Sequence, residues 1–193
     1  EHLDPRVRDS EGHRHVLALA GDWRIASGTL LEAEVERSRR QQPSVAGFSM
    51  LGDRVPSAGE IDPLVNLNRQ PWNRPVEMDG TTASLRLQQA LPERWQLTAH
   101  AMTQRLTTQD RTAFPYGDYD AGYGCNWCDR YAADGTFSYW QYVSENERRR
   151  SDALDVHVAG DARTGLLVHA LQAGMLVTRY RGRFQDQIFD LAL

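Results

Sequence analysis

The chain has no lysine: all 22 basic residues among its 193 are arginine. With 26 acidic residues the net charge is -4, so nothing favours nucleic acid as a partner. Long hydrophobic runs are missing too. At 40% hydrophobic residues and a mean hydropathy of -0.59, no stretch approaches the roughly 20 apolar residues of a spanning helix. That excludes membrane helices and nothing more, because a spanning strand needs only about 9–11 residues and alternates. Cysteine is limited to Cys125 and Cys128, too few for a four-thiolate zinc site. There is no G-x-S-x-G, phosphate loop or H-E-x-x-H. His13, His15, His100, His157 and His169 are scattered, with no carboxylate and nucleophile to group with them. Catalytic residues, metal ligands and a resident cofactor are therefore not expected. The chain opens on "EHLDPRVRDS" and closes on "IFDLAL" in mid-pattern, as expected of an internal piece of a longer precursor.

What the chain does have is strict alternation, in pairs. "HVLALAGDW" sets Leu17, Leu19, Gly21 and Trp23 on one side, and after Ala26, Ser27 and Gly28 "TLLEAEVERS" opposes Leu31, Ala33 and Val35 to Glu32, Glu34, Glu36 and Ser38. The run "TTASLRLQQALPERWQLTAHAMTQRL" repeats the design about Pro92, Glu93 and Arg94, with Leu85 and Leu87 opposite Arg86 and Gln88. A third pair places Leu154, Val156 and Val158, then Leu171, Ala173, Met175 and Val177, on one face. Period two over each run predicts six strands, and "LDPRVRD" is read as the tail of a seventh.

The predicted connections are lopsided. Tight turns near 26–28, 92–94 and 162–165 alternate with long connections at about 41–79 and 107–145. Short turns on one side and long loops on the other are the pattern of an outer-membrane barrel. Three in-phase glutamates also suit a wet lumen better than a soluble sheet, where like-charged neighbours repel. The expected fold is all-β: an antiparallel up-and-down transmembrane barrel segment of about six to seven strands, with short turns periplasmic and two long extracellular loops. Fewer strands than the about eight of the smallest bacterial barrel would leave two unpaired edges, so the isolated piece is expected to associate or misfold. A secreted β-sandwich that binds carbohydrate through an aromatic loop remains open, as does a passive porin-like channel.

The phrases "GDWRIASGTLLEAEVERSRRQQPSVAGFSMLGDRVP", "IDPLVNLNRQPWNRP", "DGTTASLRLQQAL" and "SENERRRSDALDV" together resemble TonB-dependent siderophore receptors of Gram-negative outer membranes. Such receptors enclose an N-terminal plug in a barrel of about 22 strands and import ferric chelates with energy from the TonB complex. The resemblance implies that residues 1–193 are the middle of the barrel, without plug, TonB box or C-terminal strands. It also implies a ferric siderophore as transported ligand, the TonB complex as partner through the absent N-terminal region, and an outer-membrane location.

Residues 107–145 hold ten of the chain's seventeen aromatics. Rings with polar tips suit a flat, partly apolar ligand with an anionic metal centre. Tyr116, Tyr119, Tyr123, Trp127, Tyr139 and Trp140 are the candidate ligand-binding rings, with Arg111 to complement charge. Packing of the loop on itself is the competing role. Arg69 and Trp72 in "NRQPWNRP" are further candidates, although a structural corner stiffened by Pro71 and Pro75 explains them as well. "CNWC" lacks the strand and helix of a thioredoxin-type pair and the second cysteine pair of a zinc site; a disulfide of Cys125 and Cys128 clipping the loop is expected. "SENERRRSD" reads as a solvated rim, whose Arg148, Arg149 and Arg150 could also meet lipopolysaccharide phosphates and outer-membrane lipid.

Overall fold

The computed structural model describes residues 1–120 and 124–191. Its elements are β1 (His2–Leu3), β2 (Gly12–Ala26), β3 (Thr29–Gln42), β4 (Arg74–Ala90), β5 (Gln96–Pro115), β6 (Asp118–Asp120), β7 (Gly124–Trp127), β8 (Tyr139–Thr164), β9 (Leu167–Arg183) and β10 (Ile188–Leu191). The main sheet runs β1-β2-β3-β4-β5-β8-β10, with β9 also on β8; β6 and β7 form a small separate hairpin. Among the described residues every strand pairing is antiparallel, so the main sheet is all-β and up-and-down; one isolated bridge between the long connections, Leu51 to Tyr131, is parallel. The six long strands are those expected from alternation. The expected seventh, residues 3–9, is not a strand beyond Leu3: only β1, His2–Leu3, pairs with β2, and the chain then bends and turns. Among the described residues no pairing joins β2 to β9, so the sheet has two open edges.

Register carries the alternation from strand to strand. Trp23, Leu31, Leu87, Ala99, Val156 and Met175 form one row across six strands, and Gly21, Ala33, Leu85, Ala101, Leu154 and Val177 form the next. The opposite face carries Asp22, Glu32, Arg86, His100 and Asp155 in one row. A slip of one residue in any pair would swap its faces, so burial preferences pin the register. On the polar face Arg86 donates to both carboxylate oxygens of Glu32, each at 2.6 Å, and His157 lies 3.4 Å from Asp155.

Among the described residues no second layer covers the apolar rows. Leu17 is 77% exposed, Leu19 73%, Trp23 65% and Met175 62%; Ala113 and Tyr131 are the only buried hydrophobics among the described residues. A sandwich would bury these rows between two sheets, and the described residues supply one large sheet besides the short β6–β7 hairpin.

All three tight turns lie at the same end of the sheet, at residues 27–28, 91–95 and 165–166. The second holds one 3-10 turn, Pro92–Arg94, in which Glu93 and Arg94 both take left-handed backbone with φ 60° and 65°. Both long connections leave from the other end, but they are shorter than expected. They span 43–73 and 116–138, because β4 starts at Arg74, β5 runs on to Pro115 and β8 starts at Tyr139. Phe114, Tyr139, Trp140 and Tyr142 are therefore strand residues rather than loop residues. A bulge hides this in the sequence: pairing steps from Thr108↔Glu147 to Asp110↔Ser144, and Asn146 takes φ 57°. The extra residue shifts the phase of alternation, although the ladder resumes beyond it. Opposite the bulge the β9 line breaks at 184–187 and resumes as β10. Glu147, buried, closes the break by accepting from Arg149 at 2.7 Å, Gln187 at 3.2 Å and Thr108 at 3.4 Å.

Candidate functional site at the long-loop end

The first long connection is held down by asparagines. Asn68, fully buried, donates to the Ser44 carbonyl at 2.8 Å and accepts from the Ala113 N–H on β5 at 2.7 Å. Asn66 accepts from the Asn68 N–H at 3.0 Å and donates to the Asp9 carbonyl at 3.2 Å. Short amide side chains can satisfy backbone groups two residues away, which is why a turn-rich stretch beside proline uses them. Both Asn66 and Asn68 lie outside the expected site; the "NLN" beside "NRQPWNRP" was their only signal. Arg69 is exposed and ion-paired with Asp9, and Trp72 is half-buried with no ring partner among the described residues. The structural-corner role fits this stretch.

The second connection docks on the first through Tyr131. Its N–H donates to the Met50 carbonyl at 3.0 Å, and its carbonyl accepts from Gly52 at 2.9 Å. Burial pushes its phenol up to about 12. Arg130 bridges Asp129 at 2.9 Å and Asp53 at 3.2 Å, and the Arg130 hydrogen bond holds the Asp129 carboxyl below its ordinary range. Within the first connection, bonds from Arg54 and Ser57 lower Glu60 to about 2. Cys125 and Cys128 are disulfide-paired at the loop tip, with Cα atoms 5.3 Å apart.

The rings form two groups. Tyr119 meets Trp140 edge-on at 5.1 Å, Trp140 stacks on Phe189 at 4.8 Å, Phe189 meets Phe114 at 5.5 Å, and Phe114 meets Tyr116 at 6.4 Å. Separately, Phe137 lies between Tyr131 at 4.8 Å and Tyr139 at 5.1 Å. Tyr116, Tyr119 and Trp140 are thus brought together, Tyr139 joins the other group, and Trp127 sits on β7 opposite Asp118. Tyr123 lies outside the described residues. Phe189, at the heart of the first group, was missed because "IFDL" carries too short an alternation to assign. Arg111 does not stand free for a ligand; it pairs with Glu145 at 2.9 Å. Two buried donors, Trp140 Nε1 and Arg111 Nε, have no acceptor among the described residues. Both are closed to solvent, so a ligand oxygen reaches them only after a side chain rotates. Among the described residues no cluster of His, Cys, Asp or Glu is arranged for a metal ion.

Comparison with family models and with curated proteins found no match for this chain.

Proposed function

We propose that the chain is part of the outer-membrane barrel of a TonB-dependent receptor that takes up ferric siderophores. The observation that carries this is the unbroken apolar face: two rows matched across six strands, most of their residues exposed and none buried, on a sheet whose tight turns all lie at one end. Water does not favour such a face, whereas hydrocarbon does, and lipid demands the full backbone pairing seen within the sheet. The two open edges then meet further strands of the same barrel. At 26 residues β8 far exceeds the about 9–11 that cross a bilayer, so its first half rises beyond the membrane and carries the loops.

Ligand capture falls to the long-loop end. Tyr116, Tyr119 and Trp140, with Trp127 and Tyr139, supply the rings for the organic shell of the chelate. Tyr123, outside the described residues, is a further candidate from the sequence, as are Trp72 and the ion-paired Arg69 and Arg111. The buried Nε1 donor of Trp140 and Nε donor of Arg111 would meet an oxygen of the chelate only once a side chain rotates to uncover them. Energy comes from the TonB complex through a plug carried elsewhere in the protein. Replacing residues 117–137 by a short Gly-Ser linker in the full-length receptor tests this. Uptake of at least one chelate from a panel of ferric hydroxamates and catecholates should fall tenfold or more, with unchanged receptor levels in the outer membrane. Unaltered uptake across the panel removes the loop as the binding site.

A further inference from the structure

Directly above the apolar rows, on the same face, the side chains turn basic. Arg105, Arg150 and Arg181 occupy one register row across β5, β8 and β9. Arg148 and Arg183 pair in the next row, and Arg179 stands opposite Asp152. Facing residues on adjacent strands sit about 5 Å apart, where like charges repel. Six arginines here share one carboxylate, Asp152, already bound by Arg150 at 2.9 Å and by Thr103 at 2.7 Å. Among the described residues, no carboxylate lies within ion-pair distance of Arg105, Arg148, Arg179, Arg181 or Arg183. Two strands away the same face is balanced: Arg37 pairs with Asp79 at 3.0 Å and Arg39 with Glu77 at 3.2 Å. Arg149 does not belong to the basic cluster. It points to the other face, against Glu147 at 2.7 Å, so "RRR" is divided between two faces.

We propose that this cluster binds a multiply phosphorylated lipid of the outer leaflet. Its phosphates are held by Arg105, Arg148, Arg150, Arg181 and Arg183, and its acyl chains lie on Leu154, Met175 and Val177 below. Three features together fit that occupant, and the second, the apolar border, distinguishes it from a free anion. The charges line an open groove of about 510 Å³. They border exposed apolar residues, with Met175 62% and Val177 50% exposed. Several guanidinium forks side by side suit more than one phosphate, since each takes a phosphate through two parallel bonds. The inference rests on the barrel assignment and adds a specific lipid contact to it.

The test uses the full-length receptor, reconstituted in nanodiscs of neutral phosphatidylcholine and titrated with diphosphoryl lipid A. Arg105→Gln, Arg148→Gln and Arg183→Gln together remove three charges that hold no carboxylate partner. With about fivefold lost for each charge near the surface, removing three should weaken binding roughly hundredfold, and high salt should weaken wild-type binding too. Arg37→Gln with Arg39→Gln should leave lipid affinity within about twofold. Inorganic phosphate at millimolar concentration should not displace the lipid; displacement would make the cluster a simple anion site and overturn the proposal. Insertion into neutral nanodiscs with no preference for the phosphorylated lipid overturns the lipid site and leaves the barrel standing. Failure to insert at all overturns both.

Discussion

Asn68 does at the rim what no hydrophobic residue could: it closes a loop carbonyl and a strand N–H with one amide. Asn68→Ala should cost about 2 kcal/mol, because the buried Ala113 N–H is left without an acceptor. Urea unfolding of the refolded receptor would measure the loss, together with faster proteolysis within 43–73. Asn68→Asp should recover part of it, since the carboxylate still accepts from Ala113 but opposes the Ser44 carbonyl. Glu60 makes a contrasting, pH-dependent clasp. Its carboxyl is lowered from 4.5 to about 2, first by the Arg54 hydrogen bond and then by Ser57. A depressed carboxylate contributes stability that is complete above the unfolded value and lost as pH falls through the folded one. The Arg54–Glu60 clasp should therefore persist at pH 4 and open toward pH 2, followed by NMR titration of the Glu60 side chain. A midpoint at the ordinary carboxylate value would show that the clasp does not form. Neither residue's role was legible in sequence, because their partners are set by loop geometry.

The β4–β5 hairpin contains the clearest local strain. Two consecutive non-glycine residues, Glu93 and Arg94, hold left-handed backbone, which costs L-residues about 1–2 kcal/mol each. Arg94→Gly should raise stability by about 1 kcal/mol, read as a shift of the urea midpoint, provided the turn keeps this conformation; a loss instead would mean that the arginine side chain anchors the turn. The strands themselves were legible from Leu85, Leu87, Leu97 and Ala99, whose period of two is a local property of the chain. The upper ends of β5 and β8 were not. The bulge at 108–110 shifts the phase, and the aromatics beyond it resemble a loop's composition until pairing with β10 is known.

For the whole molecule, sidedness is the property to test. Gly59→Cys lies in open space on the first long connection and should label in intact cells. Ser27→Cys and Glu93→Cys, in the tight turns, should label only after the outer membrane is opened; the reverse pattern defeats the membrane assignment. Sequence alone determined the six long strands, their two faces and the tight turns between them, because alternation and turn chemistry act over a few neighbouring residues. Only the tertiary structure decided how residues distant in the chain face one another. Across-strand register paired Arg37 and Arg39 with carboxylates, left Arg105, Arg148, Arg179, Arg181 and Arg183 without them among the described residues, sent Arg149 to the other face, and drew Asn68 and Phe189 into the rim. Those placements depend on pairing between segments tens of residues apart, and no local pattern encodes them.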